Sequence, residues 1–407
     1  VSGEILFLAH RLPFPPDRGD KIRSHHIVKA LAKIAPVHIG CLAEELSDFA
    51  HEHFLEELAA SYCMAPRPPF LPIAGLKALI RREPVSLAAF HSKQLRQWVK
   101  NTLATRKITA IYVFSGQMGQ YVPQSWIGRL IVDLVDVDSA KFEAFAKDGS
   151  GPRAWIDARE SKLLRDVEAR LVERASSTLL VSHAEAQLLR SRISGQHDIR
   201  ALSNGIDCSF FDPALIKPHP ALGEGGPHLV FTGQMDYAPN IAAVSRMAND
   251  IMPRLIKALP QASFHIVGRA PSRDVTALKG VNGVSVVGEV PDTRPWLAGA
   301  DMVVAPLTIA RGVQNKVLEA MAMARPVVVT PDAATGIDAE HGRHFIIAEN
   351  DGAFIHHITQ LHSAGQQVAA MGLEARKLVR DQMSWRAMLA DLPVLTGFAG
   401  GAVRDAA

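Results

Sequence analysis

Lys316 and Glu319 stand three residues apart, behind a polar loop (Thr308 to Gly312) and inside an apolar-periodic run, Val313, Val317, Leu318 and Met321. On a helix that spacing puts a cation and a carboxylate on one face. The start of such a helix carries free backbone N–H groups and about half a unit of positive charge, a seat for phosphate. Lys316 and the N–H groups of Gly312, Val313 and Gln314 therefore suit a nucleoside diphosphate, with Glu319 placed for ribose hydroxyls. The alternative is a surface ion pair on a helix.

Other candidates follow the same logic. Gly233 with Gln234, and Gly268 with Arg269, each follow a short apolar run. Near the amino terminus, Arg18, Lys21 and Arg23 surround Gly19 ahead of a helical pattern and offer a second place to face an anion. Gly19 also permits a tight backbone turn after Pro13, Pro15 and Pro16. Asp136 and Asp138 have the spacing of a magnesium-binding pair, but the pattern around them reads as ordinary strand and helix. Asp136 is expected to be a polar contact in a cleft, with no metal bound.

These residues need a frame. Met302–Ala305 reads as a strand, and Pro306 breaks it. A helix then runs until Pro326, and Val327–Val329 forms the next strand, which makes a βαβ unit. Three more runs lie in the second half, His228–Phe231, Phe264–Val267 and Val284–Val287, and helices such as Ile241–Ala258 and Pro271–Lys279 alternate with them. Continuous Val-rich strands alternating with helices imply a doubly wound parallel sheet, buried on both faces. Its loops at the strand carboxyl ends should converge on one ligand.

The first half alternates likewise: strands at Ile5–Ala9, Val37–Leu42, Ala110–Phe114, Leu130–Val135 and Thr178–Val181, with helices at Ile22–Ala35, Ser47–Ala60 (capped by its serine), Arg153–Ala175 and from Ala184. No G-x-G-x-x-G follows the first strand, which counts against a nicotinamide or flavin enzyme. The stretch His219–Pro227 is rich in Gly and Pro and reads as a linker. It divides residues 1–218 from residues 219–383, and a last helix opens at Ser384-Trp385.

At 407 residues, two domains are expected. Apolar residues make 48% and charged residues 21%, enough for full cores. A net charge of +3 gives no argument for nucleic acid. Cys41, Cys63 and Cys208 lack metal spacing and read as reduced, buried thiols of a cytoplasmic protein. No apolar run reaches the length of a membrane span. Phe70 to Ile80 with Lys77, Arg81 and Arg82, followed by Lys93, Arg96, Lys100, Arg106 and Lys107, forms a basic amphipathic stretch. It suits either peripheral contact with the inner face of the cytoplasmic membrane or a surface helix.

Several motifs together resemble family 4 (group 1) glycosyltransferases. SNGIDCSFFDP (Ser203 to Pro213) is similar to their N-G-(V/I)-D…F-x-P junction, and VLEAMAMARPVVVT (Val317 to Thr330) to their LEAMA…PVV block. FTGQMDYAPN, IVGRAP, VGEVPD and ADMVVAPL stand in the order of the family's other motifs. The opening FLAHRLPFPPDRGDKIRS with VDLVDVDS looks most like sugar transferases of exopolysaccharide and PEP-CTERM loci. The likeness spans nearly the whole chain.

The resemblance implies an α/β GT-B fold, two Rossmann-like doubly wound domains facing across a cleft. The acceptor belongs to the first, with His10, Asp20, Lys21 and Arg23 assigned to it. The donor belongs to the second. Residues 384–400 are expected to pack back on the first domain. It implies a retaining, metal-independent transfer from a UDP or GDP sugar, with no further cofactor, to a glycan or lipid-linked glycan. Glu319 matches the second glutamate of the family's E-x7-E motif, and Gly19 the glycine that approaches the donor phosphate. Asp136 stands near the family's cleft residue. The first motif glutamate is replaced by Arg311, and the family's diphosphate-clamping Arg and Lys by Gln234 and Asn240. Lys316, Arg269 or Arg311 is expected to supply the missing charge. Two other readings share this architecture: a nucleotide-sugar epimerase using Asp136 and His10, and a non-catalytic nucleotide-sugar or glycan-binding partner.

Overall fold

The structure is a computed structural model that describes residues 3–67, 83–310 and 313–398. The chain divides into two compact units, Val1–Asn204 with Met388–Ala407, and Gly205–Ala387. The segment 205–218 thus goes with the second unit. The last helix suggested from Ser384-Trp385 is two short helices, Trp385–Met388 and Leu392–Thr396.

The first unit holds seven parallel strands: β1 (Glu4–Ala9), β2 (Val37–Ala43), β3 (Ser61–Pro66), β4 (Ile108–Phe114), β5 (Arg129–Val135), β6 (Ser177–Leu180) and β7 (Ile199–Ala201). Their order is β3-β2-β1-β4-β5-β6-β7. The register sets Ile5 beside Val37 on one side and beside Ala110 on the other. Ile5, Leu6, Phe7 and Leu8 have no solvent exposure, as a strand covered on both faces requires. β3 ends in a proline and β7 has only three residues, and both lack a distinctive apolar run, so the sequence pattern does not reveal them.

Helix α1 (Gly19–Ile34) begins three residues earlier than its apolar pattern, because the polar first turn carries no core residue. It buries Ile27, Val28 and Leu31 and ends at Ala35, where Pro36 forbids another helical residue. Gly19 is its first residue and does not take a left-handed backbone. Residues 47–60 are a helix only in part. A 3₁₀ turn, Leu46–His51, precedes a short helix, His53–Leu58. Its cap is Glu45 with Asp48, not Ser47. Two further helices, α2 (Asp138–Asp148) and α3 (Gly151–Arg174), pack as a hairpin after β5.

The second unit holds β8 (His228–Thr232), β9 (Ser263–Val267), β10 (Val284–Gly288), β11 (Met302–Ala305), β12 (Val327–Val329) and β13 (Ile346–Ile347), all parallel, in the order β10-β9-β8-β11-β12-β13. The helix expected over Ile241–Ala258 is present but not uniform. Between α4 (Ala238–Arg246) and Met252–Ala258 lies a wide turn, Met247–Ile251. Pro253 follows it, and a proline ring has no room behind it in a regular helix. Helix α5 (Asn315–Ala322) buries Val317, Leu318, Ala320 and Met321, and Val313 precedes it. The basic stretch splits. Phe70 to Arg82 lies outside the described residues, whereas Lys93–Thr105 is a helix that turns Leu95 and Val99 inward. Among the described residues, no helix is long and apolar enough to cross a membrane.

Candidate functional site

In the second unit the chain winds outward through β8, β9 and β10, then returns to lay β11 on the other side of β8. The loops after β8 and β11 diverge there, which opens the crevice where doubly wound sheets hold ligands. The loops after β8, β9 and β10 are locked together. Gly233 N donates to Val267 O (3.1 Å), Gly268 N to Gly288 O (2.8 Å) and Met235 N to Arg269 O (2.8 Å). A Cβ at Gly268 would lie 1.6 Å from Gly233 O, so only glycine allows this approach.

Lys316 and Glu319 sit on the first turns of α5, beside that crevice. Lys316 Nζ donates to Asn240 Oδ1 at 2.5 Å and lies 4.3 Å from the centre of the Phe231 ring. It makes these contacts in place of a surface ion pair with Glu319. Asn240 in turn donates to Gln234 O at 2.8 Å, and Arg269 Nη2 donates to Gln234 Oε1 at 3.1 Å. Burial lowers the Lys316 pKa to about 8, against the opposing charge of Glu319. Burial likewise raises Glu319 to about 7, against the pull of Lys316. Both groups are partly enclosed and poorly neutralised, a state that a ligand with phosphates and hydroxyls would relieve. Gln314 is the N-cap of α5 and its carbonyl accepts from Val317 N and Leu318 N. Val313 is partly buried against Gly336. Arg311 and Gly312 lie outside the described residues. Asn240 and Phe231, which fix Lys316, stand too far off in sequence for spacing to pair them with it.

In the first unit the order reverses between β1 and β4. His10 follows β1 and is buried against Phe114 and Phe90. Its Nε2 lies 2.9 Å from Arg11 Nη1 and 3.3 Å from Asp20 Oδ2, and its Nδ1 has no hydrogen-bond partner among the described residues. Burial pushes its pKa below the ordinary histidine value. Burial would raise the Asp20 carboxyl, but His10, Arg11 and Arg18 outweigh it and hold that group well below the usual carboxylate range.

Two residues assigned to an acceptor turn inward instead. Arg23 is 1% exposed. Its Nε and Nη2 grip both oxygens of buried Asp133 at 3.0 and 3.1 Å, and Nη1 donates to Leu202 O and Asn204 Oδ1. It is a buried tie between α1 and β5, because its periodic position on α1 faces the sheet. Lys21 is also enclosed, with Nζ 3.4 Å from Asp48 Oδ1. Asp136 stays at the surface, 3.6 Å from Lys141 Nζ. Asp138 accepts from Gln117 Nε2 and Lys141 Nζ. Lys141 thus bridges the Asp-x-Asp pair, and no metal-like cluster of His, Cys, Asp and Glu occurs among the described residues.

Comparison with known proteins places this geometry. Residues 226–364 match the family model described as "Glycosyl transferases group 1". A UDP-N-acetylglucosamine–N-acetylmuramyl-(pentapeptide) pyrophosphoryl-undecaprenol N-acetylglucosamine transferase from Methylorubrum populi is 32% identical over 125 residues. That match covers 28% of this chain and 30% of the relative's length. Among solved structures, Anabaena HepE in complex with UDP and glucose superposes with a TM-score of 0.60 at 17% identity, covering 97% of this chain and 99% of HepE. A glycosyltransferase from Rickettsia africae gives 0.62 at 14% identity, covering 98% of this chain and all of that one (100%). The chain therefore has the GT-B fold, built from two Rossmann-like α/β units.

Proposed function

We propose that the protein is a glycosyltransferase of the family 4 type that transfers a sugar, with retention, from a nucleoside diphosphate sugar to a glycan or lipid-linked glycan in cell-surface polysaccharide synthesis. The observation that carries this reading is the unneutralised Lys316 and Glu319 pair on α5, at the crevice between β8 and β11. The second unit is assigned to the donor and the first to the acceptor. The match of residues 226–364 to a glycosyltransferase model, and the UDP held by HepE, support a nucleoside diphosphate as the ligand of this edge.

In this reading Glu319 accepts from the ribose hydroxyls. Lys316, Arg269 and the N–H groups at Val313 and Gln314 face the diphosphate. They stabilise negative charge as the bond from the anomeric carbon to the leaving phosphate breaks. The acceptor oxygen attacks that carbon on the same face, and its proton passes to the departing phosphate oxygen. Gly19, with open space on its Cβ side at the start of α1, is assigned to phosphate approach. Arg311, in place of a motif glutamate, is assigned to donor choice.

A non-catalytic binding role is the second reading, favoured by Gln234 standing where the family has a clamping cation. Thermal stabilisation by UDP, GDP, ADP, CMP and NAD separates the two. A ligand at about 100 times its Kd adds roughly 2.7 kcal/mol. One nucleoside diphosphate should stand out, and Glu319→Ala should abolish its effect. Turnover of the matching sugar donor would then exclude the binding role, and no stabilisation by any nucleotide would remove the transferase reading.

A further inference from the structure

Three guanidinium groups meet on one carboxylate at the carboxyl edge of β1, β2 and β3. Arg11 follows β1, Glu44 follows β2 and Arg67 follows β3, while Arg18 is the N-cap of α1. Glu44 Oε1 accepts from Arg11 Nη2 (3.1 Å) and Arg67 Nη1 (2.8 Å). Glu44 Oε2 accepts from Arg11 Nε (2.9 Å) and Arg18 Nη2 (2.6 Å). Arg11 and Arg18 also pair with Asp20, at 2.6 and 3.1 Å.

This arrangement exceeds what a structural ion pair needs. A carboxylate is planar, and Arg11 alone satisfies it as a two-pronged fork. Arg18 and Arg67 reach the same two oxygens from the start of α1 and the end of β3, so three guanidinium groups converge on one carboxylate. Arg11, Arg18 and Arg67 face Glu44 and Asp20, and the charge of Asp17 also acts on Arg18. The cluster is reachable: side-chain exposures are 44% for Arg18, 28% for Glu44 and 20% for Arg67. It lies beside the amino terminus of the 16-residue helix α1, which has no side-chain cap, and a Cβ at Gly19 would meet nothing within 4 Å. Arg67 is pre-oriented by stacking on Phe90, 4.2 Å from the ring centre.

We propose that Arg11, Arg18 and Arg67 form a phosphate subsite in which Glu44 is a resident stand-in for the ligand's oxyanion. A tetrahedral phosphate offers three oxygens to three guanidinium groups, and the helix start adds backbone N–H donors. When phosphate enters, Glu44 turns to solvent. Under the transferase reading, on which this assignment to the acceptor rests, the acceptor carries a phosphate or diphosphate that this subsite holds. The subsite itself does not depend on that reading.

The test measures binding of inorganic pyrophosphate to the full chain by calorimetry, alongside binding of the nucleotide selected above. Arg18→Gln and Arg67→Gln should each weaken one pyrophosphate site about five- to tenfold, the loss of a charge-assisted hydrogen bond at a partly exposed site. Glu44→Gln should tighten it, because the competing carboxylate has lost its charge. Lys316→Ala should leave it intact while removing nucleotide binding, so failure of either reading shows separately. Co-sedimentation with phosphatidylcholine vesicles, with and without polyprenyl phosphate, identifies the source. Arginine-dependent capture by the polyprenyl phosphate vesicles assigns a lipid-linked phosphate. Arginine-dependent binding of pyrophosphate alone assigns a soluble one. Pyrophosphate affinity unchanged in Arg18→Gln and Arg67→Gln, or lowered in a folded Glu44→Gln protein, overturns the proposal.

Discussion

Lys316 Nζ lies 2.5 Å from Asn240 Oδ1, a contact between helices α5 and α4, which follow different strands on the two sides of the crevice. The amide fixes the ammonium without neutralising it. Phe231 beneath it adds the attraction of a ring face, also without a counter-charge. A cation held this way is poised for an anion that comes and goes, which an ion pair with Glu319 would oppose.

Removing that cation should therefore separate turnover from folding. Lys316→Ala is expected to lower kcat about 100-fold or more, the usual effect of losing one preorganised charge donor. Its unfolding midpoint should stay close to that of the parent protein, because the buried ammonium contributes little net stability. Asn240→Ala should act in the same direction but more weakly, since the charge remains and only its position is lost. Steady-state kinetics with the selected sugar donor, beside urea denaturation, checks both. Equal loss of stability in Lys316→Ala would make the lysine structural.

The same pair sets a pH dependence with a definite sign. Glu319 is raised from 4.5 to about 7, so the folded state binds its proton more tightly. Its contribution is fully present below pH 4.5 and is lost as pH rises through 7. Lys316 is lowered from 10.5 to about 8, so the unfolded state binds that proton more tightly, and stability grows as pH rises from 8 toward 10.5. Between pH 7 and 8 both groups are charged, and the ligand-free protein should show a shallow minimum of about 1–2 kcal/mol after allowance for solvent screening. The Glu319→Gln, Lys316→Met double variant should lose the minimum in a series of urea titrations across pH. A profile identical to the parent protein would show that the two groups are solvated.

Much of the second unit was legible because both faces of its sheet are covered. Val303, Val304, Val327 and Val328 are buried on every side, so their strands appear as unbroken apolar runs, and the loops between them can be placed by elimination. Lys316 and Glu319 were legible for the same reason, since α5 is short and strongly patterned. The first unit was harder. Arg23 reads as one more surface cation beside Arg18 and Lys21, and only the packing of α1 shows that it faces Asp133. Glu44 and Arg67 lie 23 residues apart in sequence and share no motif. Their meeting depends on β1, β2 and β3 lying side by side, which no local spacing encodes.

The Arg23–Asp133 pair yields a prediction opposite in kind to that for Lys316. Asp133 has no exposure, and Tyr112 Oη donates to it at 2.9 Å beside the two bonds from Arg23. Removing one partner leaves an enclosed charge without compensation. Asp133→Asn or Arg23→Met should cost about 3–5 kcal/mol. Arg23→Lys should be almost as damaging, because an ammonium cannot make the fork to Asp133 and reach Leu202 O together. Urea denaturation measures the loss. A well-folded Arg23→Met protein with a raised acceptor KM would restore the acceptor-side assignment.

Glycine at 268 offers the sharpest steric test of the donor edge. Replacing it with alanine drives a Cβ to 1.6 Å from Gly233 O, which is backbone and cannot rotate away. The loops after β8 and β9 must part, and with them Gln234, the residue that carries both Asn240 and Arg269. Gly268→Ala should therefore destabilise the protein by about 2–4 kcal/mol and weaken nucleotide binding at least about tenfold. Gly288→Ala is the matched control. Its φ is 83°, but a Cβ there meets nothing within 4 Å. It should cost only about 1–2 kcal/mol of left-handed strain and leave nucleotide affinity within about twofold. Nucleotide affinity preserved in Gly268→Ala would separate the ligand from this loop platform and move the donor site off the β8–β11 crevice.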